Sequence, residues 1–256
     1  MSLVNKNSRI PGSIAVILAA MLFFCEGANA QCGPPFRLGF NSCVGNELFR
    51  FDTVTYTNSL GQPFVITNFK YYISNIQLTD INGQVYIDKE GYYLIDFRDS
   101  SNIFLTLKDI EAGPYTKISF TIGVDSLHNC SGAQEGALDP VNAMFWTWNT
   151  GYIFLKMEGK STASKSPGHI FEYHIGGYKE PNNSIRRVTL DIPPPKDSGF
   201  YKIEYVGVIS DVEKLLSANN IIDFSKLSSV TDFHNAKMIA DNYKEMFRIS
   251  FIESSF

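Results

Sequence analysis

The chain has 256 residues, with 22 Lys and Arg against 26 Asp and Glu, for a formal net charge of −4. It is 44% apolar and 14% aromatic, ample for a packed core, and its basic residues form no stripe, so the electrostatic footprint of nucleic-acid binding is missing. The sequence holds no G-x-S-x-G, P-loop, H-E-x-x-H or C-x-x-C, which removes the usual hydrolase, phosphate-binding and dithiol signatures.

Residues 1–30 read as a secretory signal. Lys6 and Arg9 supply the positive start, Ile14 to Phe24 is an uncharged apolar run, and Ala28-Asn29-Ala30 is a small-x-small cleavage site that leaves Gln31 first. The run is about half of the roughly twenty apolar residues that a membrane helix needs. That length ranks an uncleaved anchor behind this reading, and a lipoprotein acylated at Cys25 ranks behind it because Phe24 is bulky where acylation expects a small residue. The expectation is an exported chain, periplasmic or extracellular, cleaved after Ala30. Its mature residues 31–256 form one β domain without a membrane span.

Cys32, Cys43 and Cys130 remain after cleavage, an odd number for an oxidising compartment. One disulfide and one spare thiol are expected. Cys32 is close to the new terminus, so Cys43–Cys130 is the favoured pair. A spare thiolate is a soft copper ligand, although a staple with an inert third cysteine is the commoner arrangement.

Most of the mature chain reads as strands. Phe36 to Phe40 alternates, and Phe64 to Asp80 is rich in β-branched and aromatic residues. Ile81-Asn82-Gly83-Gln84 is a turn signal, and Val85-Tyr86-Ile87 completes a hairpin. Further strands are expected at Tyr92–Phe97, Tyr115–Val124, Tyr152–Glu158, Ile170–Ile175, Arg186–Ile192 and Phe200–Ile209. About nine strands, separated by Gly, Pro, Asn and Asp clusters, predict an all-β, antiparallel sandwich-like domain. Two short helices come late. Asp211 to Ala218 has Asp211 as N-cap, with Val212, Leu215 and Leu216 on one face. Asn235 to Phe247 carries Met238, Ile239, Tyr243, Met246 and Phe247 at helical spacing, and Arg248 to Ile252 alternates again.

The loop from Leu127 to Pro140 is long for a hairpin connection, and long ordered loops on a β scaffold tend to carry function. Asp125 and Asp139 flank it. They suit either a hard cation or, more often, an Asx-type turn. The histidines are His128, His169, His174 and His234. His174 ends a strand that runs into Gly176-Gly177. His169, five residues earlier, would face the opposite side if strand geometry held throughout. Both tryptophans fall in Met144-Phe145-Trp146-Thr147-Trp148-Asn149-Thr150-Gly151-Tyr152, where strand geometry would put the two indoles on one face. An aromatic cluster is the plain reading and a metal-adjacent or redox-active indole the functional one.

Seven segments in order carry a resemblance: Tyr71–Ile76 (YYISNI), Ile122–Ser126 (IGVDS), Gly136–Pro140 (GALDP), Met144–Tyr152 (MFWTWNTGY), Lys156–Gly159 (KMEG), Tyr173–Gly177 (YHIGG), and Ile239–Tyr243 (IADNY) followed by Met246-Phe247. Together they resemble the MbnP-like family found in Bacteroidetes. That family is related to the methanobactin-associated periplasmic protein MbnP and to the methanotroph copper proteins MopE and CorA. The resemblance implies an exported β-sandwich-like domain that binds copper, a metal well suited to imidazole. In the methanotroph relatives a tryptophan is oxidised to kynurenine, by a di-haem oxidase in one case, and lies in a site with histidines. His174 matches the family's His-(Ile/Leu)-Gly position, and Trp146 and Trp148 match its W-x-W-x-x-G-Y segment. His128 is offset by one from a Leu-Asn-His stretch, since the order here is Leu127-His128-Asn129. Gly177-Tyr178 stands where the methanotroph relatives have a cysteine.

The reading is therefore an exported copper-binding protein, not an enzyme, with His174 and His128 as metal ligands. Trp146, Trp148 and Met144 would lie beside the metal or be modified, and a di-haem oxidase is the implied partner. The alternative is a metal-free β-sandwich module that recognises a carbohydrate or a partner protein through exposed aromatics, given 13 Tyr and 20 Phe.

Overall fold

The computed structural model describes residues 33–89, 91–146, 151–195 and 201–255. Residues 1–30, where a signal segment with Cys25 is expected, and Gln31, Cys32, Trp148 and Phe200, lie outside the described residues. In chain order the strands are β1 (Pro35–Val44), β2 (Glu47–Leu48), β3 (Tyr56–Thr57), β4 (Pro63–Asp80), β5 (Val85–Ile87), β6 (Tyr92–Asp96), β7 (Phe104–Glu111), β8 (Tyr115–Ile122), β9 (Phe145–Trp146), β10 (Gly151–Lys160), β11 (Ile170–Gly176), β12 (Arg186–Asp191), β13 (Lys202–Asp211), β14 (Ser229–Val230) and β15 (Phe247–Ser255). The helices are α1 (Ser126–Cys130), α2 (Val212–Ser217) and α3 (Phe233–Tyr243). None of them is long and apolar enough to cross a membrane.

The longest strand, β4, organises the larger sheet. Its inward residues change parity twice: Phe64 and Ile66, then Phe69, Tyr71 and Ile73, then Ile76 and Leu78, all buried. A strand keeps one face only if its period of two is unbroken, so each parity change requires a bulge. Register shifts occur opposite both places, between Glu158 and Gly159 on β10 and between Ser74 and Gln77 against β8. Asn75 takes the left-handed conformation (φ 51°) at the second. The strand therefore curls. The sheet runs β12-β8-β4-β10-β11-β14, with β3, β5 and β6 also on β4 and β9 on β10. The expected hairpin joins β4 to β5, its turn held by Asp80 Oδ1, which accepts from the amides of Asn82 (2.8 Å) and Gln84 (2.9 Å).

The second sheet runs β15-β13-β1-β2, with β7 also paired to β1. Phe36, Leu38 and Phe40 of β1 point inward and are fully buried. Phe40 meets Tyr71 (6.3 Å between ring centroids) and Phe120 (5.9 Å) of the larger sheet, and Phe247 of β15 meets Tyr71 at 5.6 Å. This aromatic layer joins the two sheets face to face, as a sandwich requires. The expected antiparallel design needs one correction. β1 pairs with β13 in parallel, from Arg37↔Tyr205 to Cys43↔Asp211, and β11 pairs with β14 in parallel. Parallel neighbours need a long crossover, and here nearly the whole larger sheet lies between β1 and β13 in sequence.

Both expected helices form. Asp211 Oδ1 accepts from the Glu213 amide to cap α2, and Val212, Leu215 and Leu216 are its buried face. Asp232 caps α3, whose end comes at Tyr243, short of the expected Phe247. Fully buried Asn242 locks the two helices together. It donates to Leu215 O (2.9 Å) and Asn220 O (2.7 Å) and accepts from the amides of Asn219 (2.9 Å) and Asn220 (2.7 Å).

The disulfide expected between Cys43 and Cys130 is not formed; both are free thiols. Cys43 is buried on β1 with its Sγ 3.6 Å from Arg248, whereas Cys130 is exposed at the end of α1 with its Sγ 3.2 Å from the Tyr178 hydroxyl. The fold gives the two thiols different neighbours, so spacing in the sequence says nothing about their pairing.

Candidate metal centre

The outer face of the larger sheet carries a second apolar cluster beneath the 124–146 loop. It comprises Tyr72, Leu94, Val124, Leu138, Met144, Trp146 and Tyr152 to Phe154. The loop is pinned from below. Asn129, almost fully buried, donates to Val124 O (2.6 Å) and Asp125 O (2.9 Å) and accepts from the Tyr152 amide (2.8 Å). Lys156 Nζ reaches Ala143 O at 2.6 Å, and Lys70 Nζ reaches Asn142 O at 3.1 Å. Burial lowers the Lys156 ammonium pKa against the counteracting charge of Glu158.

His174 stands on β11 opposite Lys156 of β10. Its Nε2 lies 2.7 Å from Glu158 Oε1, a diagonal neighbour on the same face. Glu158 Oε2 accepts from Asn68 Nδ2 at 3.0 Å, so the carboxylate is held from both sides. The hydrogen bond from His174, with help from Asn68 and Lys156 and against burial, holds the Glu158 carboxyl at about 2. Two residues beyond His174, on the same face, Gly176 makes room for an indole. A Cβ there would stand 2.6 Å from Trp146 Cζ3. Trp146 belongs to the two-residue β9, is 5% exposed, and packs edge-on against Phe233 at 6.1 Å. The Tyr-His-Ile-Gly-Gly segment thus has a physical reason: His174 faces a carboxylate and Gly176 houses Trp146. Met144 is fully buried in the same cluster, and its carbonyl accepts from the Ile153 amide at 2.8 Å.

His128 is in α1, and Asp125 does two things for it. Asp125 Oδ1 caps the helix by accepting from the His128 amide at 3.0 Å. Its carboxylate also lies 3.0–3.1 Å from His128 Nδ1. Tyr92 of β6 completes the group. Its hydroxyl donates to Asp125 Oδ2 and lies 2.8 Å from His128 Nδ1, with the rings 4.5 Å apart. Partial burial works to raise the Asp125 carboxyl, but hydrogen bonds from Tyr92 and His128 outweigh it and keep the carboxyl below its usual range. Burial and the neighbouring carboxylate push the Tyr92 phenol up. A ring nitrogen held by a carboxylate fixes the imidazole's orientation and leaves the other nitrogen to coordinate, the arrangement typical of metal-binding histidines. His128 and His174 both have it. The other two histidines differ: His169 Nδ1 sits 3.0 Å from Ser164 O, and His234 lines a shallow surface hollow with Asn182 and Asp241.

The structure does not bring the candidate ligands into one cluster. Among the described residues no group of three or more His, Cys, Asp or Glu is placed to hold a metal ion. The donors suit copper by type, imidazole with carboxylate. By geometry they form two separate pairs, His174 with Glu158 and His128 with Asp125. Glu158, Tyr92 and Asn129 were not singled out from the sequence. A signal for Glu158 was present: it follows Lys156 by two residues, which puts both on one face. Nothing in the sequence links Tyr92 to His128.

Fold and site together define a sandwich-like protein of two mixed sheets whose outer face carries carboxylate-held imidazoles beside a packed indole. The chain belongs to the MbnP family, whose model, described as MbnP, matches residues 33–235. Among solved structures it is similar to MbnP from Methylosinus trichosporium, at a TM-score of 0.50 and 17% identity over 73% of this chain and 79% of that one, which supports a shared fold. No curated protein matches the chain.

Proposed function

We propose that this protein is an exported copper-binding protein with no catalytic activity of its own, acting in copper sequestration, uptake or delivery. Family membership supports a copper-related role. The observation that carries the reading is that each candidate histidine has one ring nitrogen engaged by a carboxylate and the other left for a metal. His174, oriented by Glu158, would hold copper at one place, and His128, oriented by Asp125, at the other. A site with a single imidazole donor leaves coordination positions open to an incoming ligand, which suits transfer better than permanent storage. A di-haem oxidase that modifies Trp146 or Trp148 is the partner this reading includes.

The test is copper retention. The full chain is produced through an oxidising compartment, loaded with copper, desalted and quantified, alongside His174→Ala, His128→Ala and the double variant. Copper near one equivalent or above, reduced by these substitutions, is expected. Retention in the double variant equal to the parent's, or none in the parent, overturns the proposal. Native protein whose tryptophans lack the mass and absorbance of kynurenine rejects the oxidase partner.

A further inference from the structure

The opposite face of the molecule, the outer side of β15-β13-β1-β7, carries a cleft that the copper reading does not use. We propose that this cleft binds a neutral oligosaccharide. Its volume is about 410 Å³, within the range of small-molecule sites.

The cleft is laid out on two rungs of the sheet. One rung reads Glu253–Tyr205–Arg37–Thr106 across the four strands, and the next reads Phe251–Gly207–Gly39–Phe104. Two glycines paired inside a sheet weaken it and mark a place where something approaches the backbone closely. Here the first occupant is Tyr205. Its ring lies over Gly39, where a Cβ would collide with the Tyr205 hydroxyl. The two Phe residues of this rung stand three strand spacings apart, ~14 Å, and both rings are exposed, Phe104 at 58% and Phe251 at 59%. Phe251 leans towards Tyr205 at 6.1 Å between centroids.

Register shifts on β13 between Ile203 and Tyr205, and against β15 between Gly207 and Val208, flank this stretch. Bulges of this kind re-aim side chains beside binding sites. Arg37 bridges the arrangement. It lies 5.8 Å from the Tyr205 ring centroid and pairs with Glu253 at 3.1 Å. Phe251 and Glu253 lie beyond residues 33–235, so one wall of the cleft comes from outside the matched family span.

The chemistry selects the occupant. An aromatic floor and walls offer flat apolar faces to the C–H face of a pyranose ring. The Arg37–Glu253 pair and the Thr106 hydroxyl offer donors and an acceptor to ring hydroxyls. The charged pair is balanced, so it gives no net pull on an ion. It also argues against a second protein. The centres of protein interfaces are depleted of charge, and burying this pair against an apolar partner would strip its water without replacing the hydrogen bonds. Sugar hydroxyls replace them.

The full chain is titrated by calorimetry, and by saturation-transfer NMR, with cello-, xylo-, manno- and laminari-hexaose. Binding of at least one is expected. Phe104→Ala and Phe251→Ala, both exposed and tolerated by the fold, should each weaken it by about tenfold. Gly39→Ala, which displaces the Tyr205 ring, should abolish it. The His174→Ala, His128→Ala double variant should bind sugar unchanged, which separates this site from the copper reading. No binding across the panel at millimolar sugar overturns the proposal. So does binding that both Phe variants leave intact, or self-association that Phe251→Ala dissolves, since the face would then serve a second copy.

Discussion

The tightest spot on the candidate centre is Gly176, and Gly176→Ala tests whether Trp146 is seated as described. The new methyl would stand 2.6 Å from Trp146 Cζ3, 2.8 Å from Cη2 and 2.6 Å from Tyr152 O. Comfortable carbon contacts begin near 3.5 Å, so something must yield by about 1 Å. The indole is closed in by Phe233 on another side. The Tyr152 carbonyl belongs to β10, whose backbone Asn129 fixes through the Tyr152 amide. With neither neighbour free, the cost falls at the upper end of overpacking, about 3 kcal/mol. In a domain of this size each kcal/mol lowers Tm by roughly 2–4 °C, so a drop of about 6–12 °C is expected by differential scanning calorimetry. Gly132→Ala is the control. It has φ 76° and nothing within 4 Å of the added Cβ, so it carries backbone strain alone, about 1 kcal/mol. A Gly176→Ala melting point within about 1 °C of the parent, or no lower than that of Gly132→Ala, would refute the packing argument.

Three further outcomes follow from the same geometry. Glu158→Gln removes the charge that orients His174, and copper affinity at that histidine should fall roughly 10–100-fold, read by competition with a chromogenic chelator; an unchanged affinity removes Glu158 from the site. Asn129→Ala deletes three hydrogen bonds, two of them buried, and strands the Tyr152 amide; the loss should be about 2–3 kcal/mol, with faster hydrogen exchange at Tyr152. Cys130 should react with a maleimide in the folded protein while Cys43, buried and with its thiol pushed up by that burial, reacts only on unfolding; recovery of a peptide joining Cys43 to Cys130 would show that the two pair after all.

Alternation and turn chemistry made much of the fold legible. Phe64 to Asp80 is one long strand because β-branched and aromatic residues dominate it, and Asp80 with Gly83 builds the turn that follows. The helices were legible because Asp211 caps the first and the Met238, Ile239, Tyr243 spacing marks the second. β7 is poorly legible although Leu105, Leu107 and Ile110 carry its buried face, because the double polar step at Lys108-Asp109 breaks the alternation. The parallel pairing of β1 with β13 was illegible, since single-sequence patterns carry periodicity and not partners that lie far apart in the chain.

The site divides the same way. His174 and Trp146 were legible as a motif, and alternation along β11 sets His174 and Gly176 on one face without reference to the rest of the chain. What each then touches was decided by the tertiary structure. Glu158 reaches His174 only because β10 and β11 pair in the register Lys156↔His174. Tyr92 reaches His128 only because α1 settles beside β6, whereas Asp125 reaches it locally, as the cap three residues earlier. Local order follows from propensities and spacing that act over a few residues. Ligand sets and clefts depend on strand register, and register is fixed by burying one face of every strand at once.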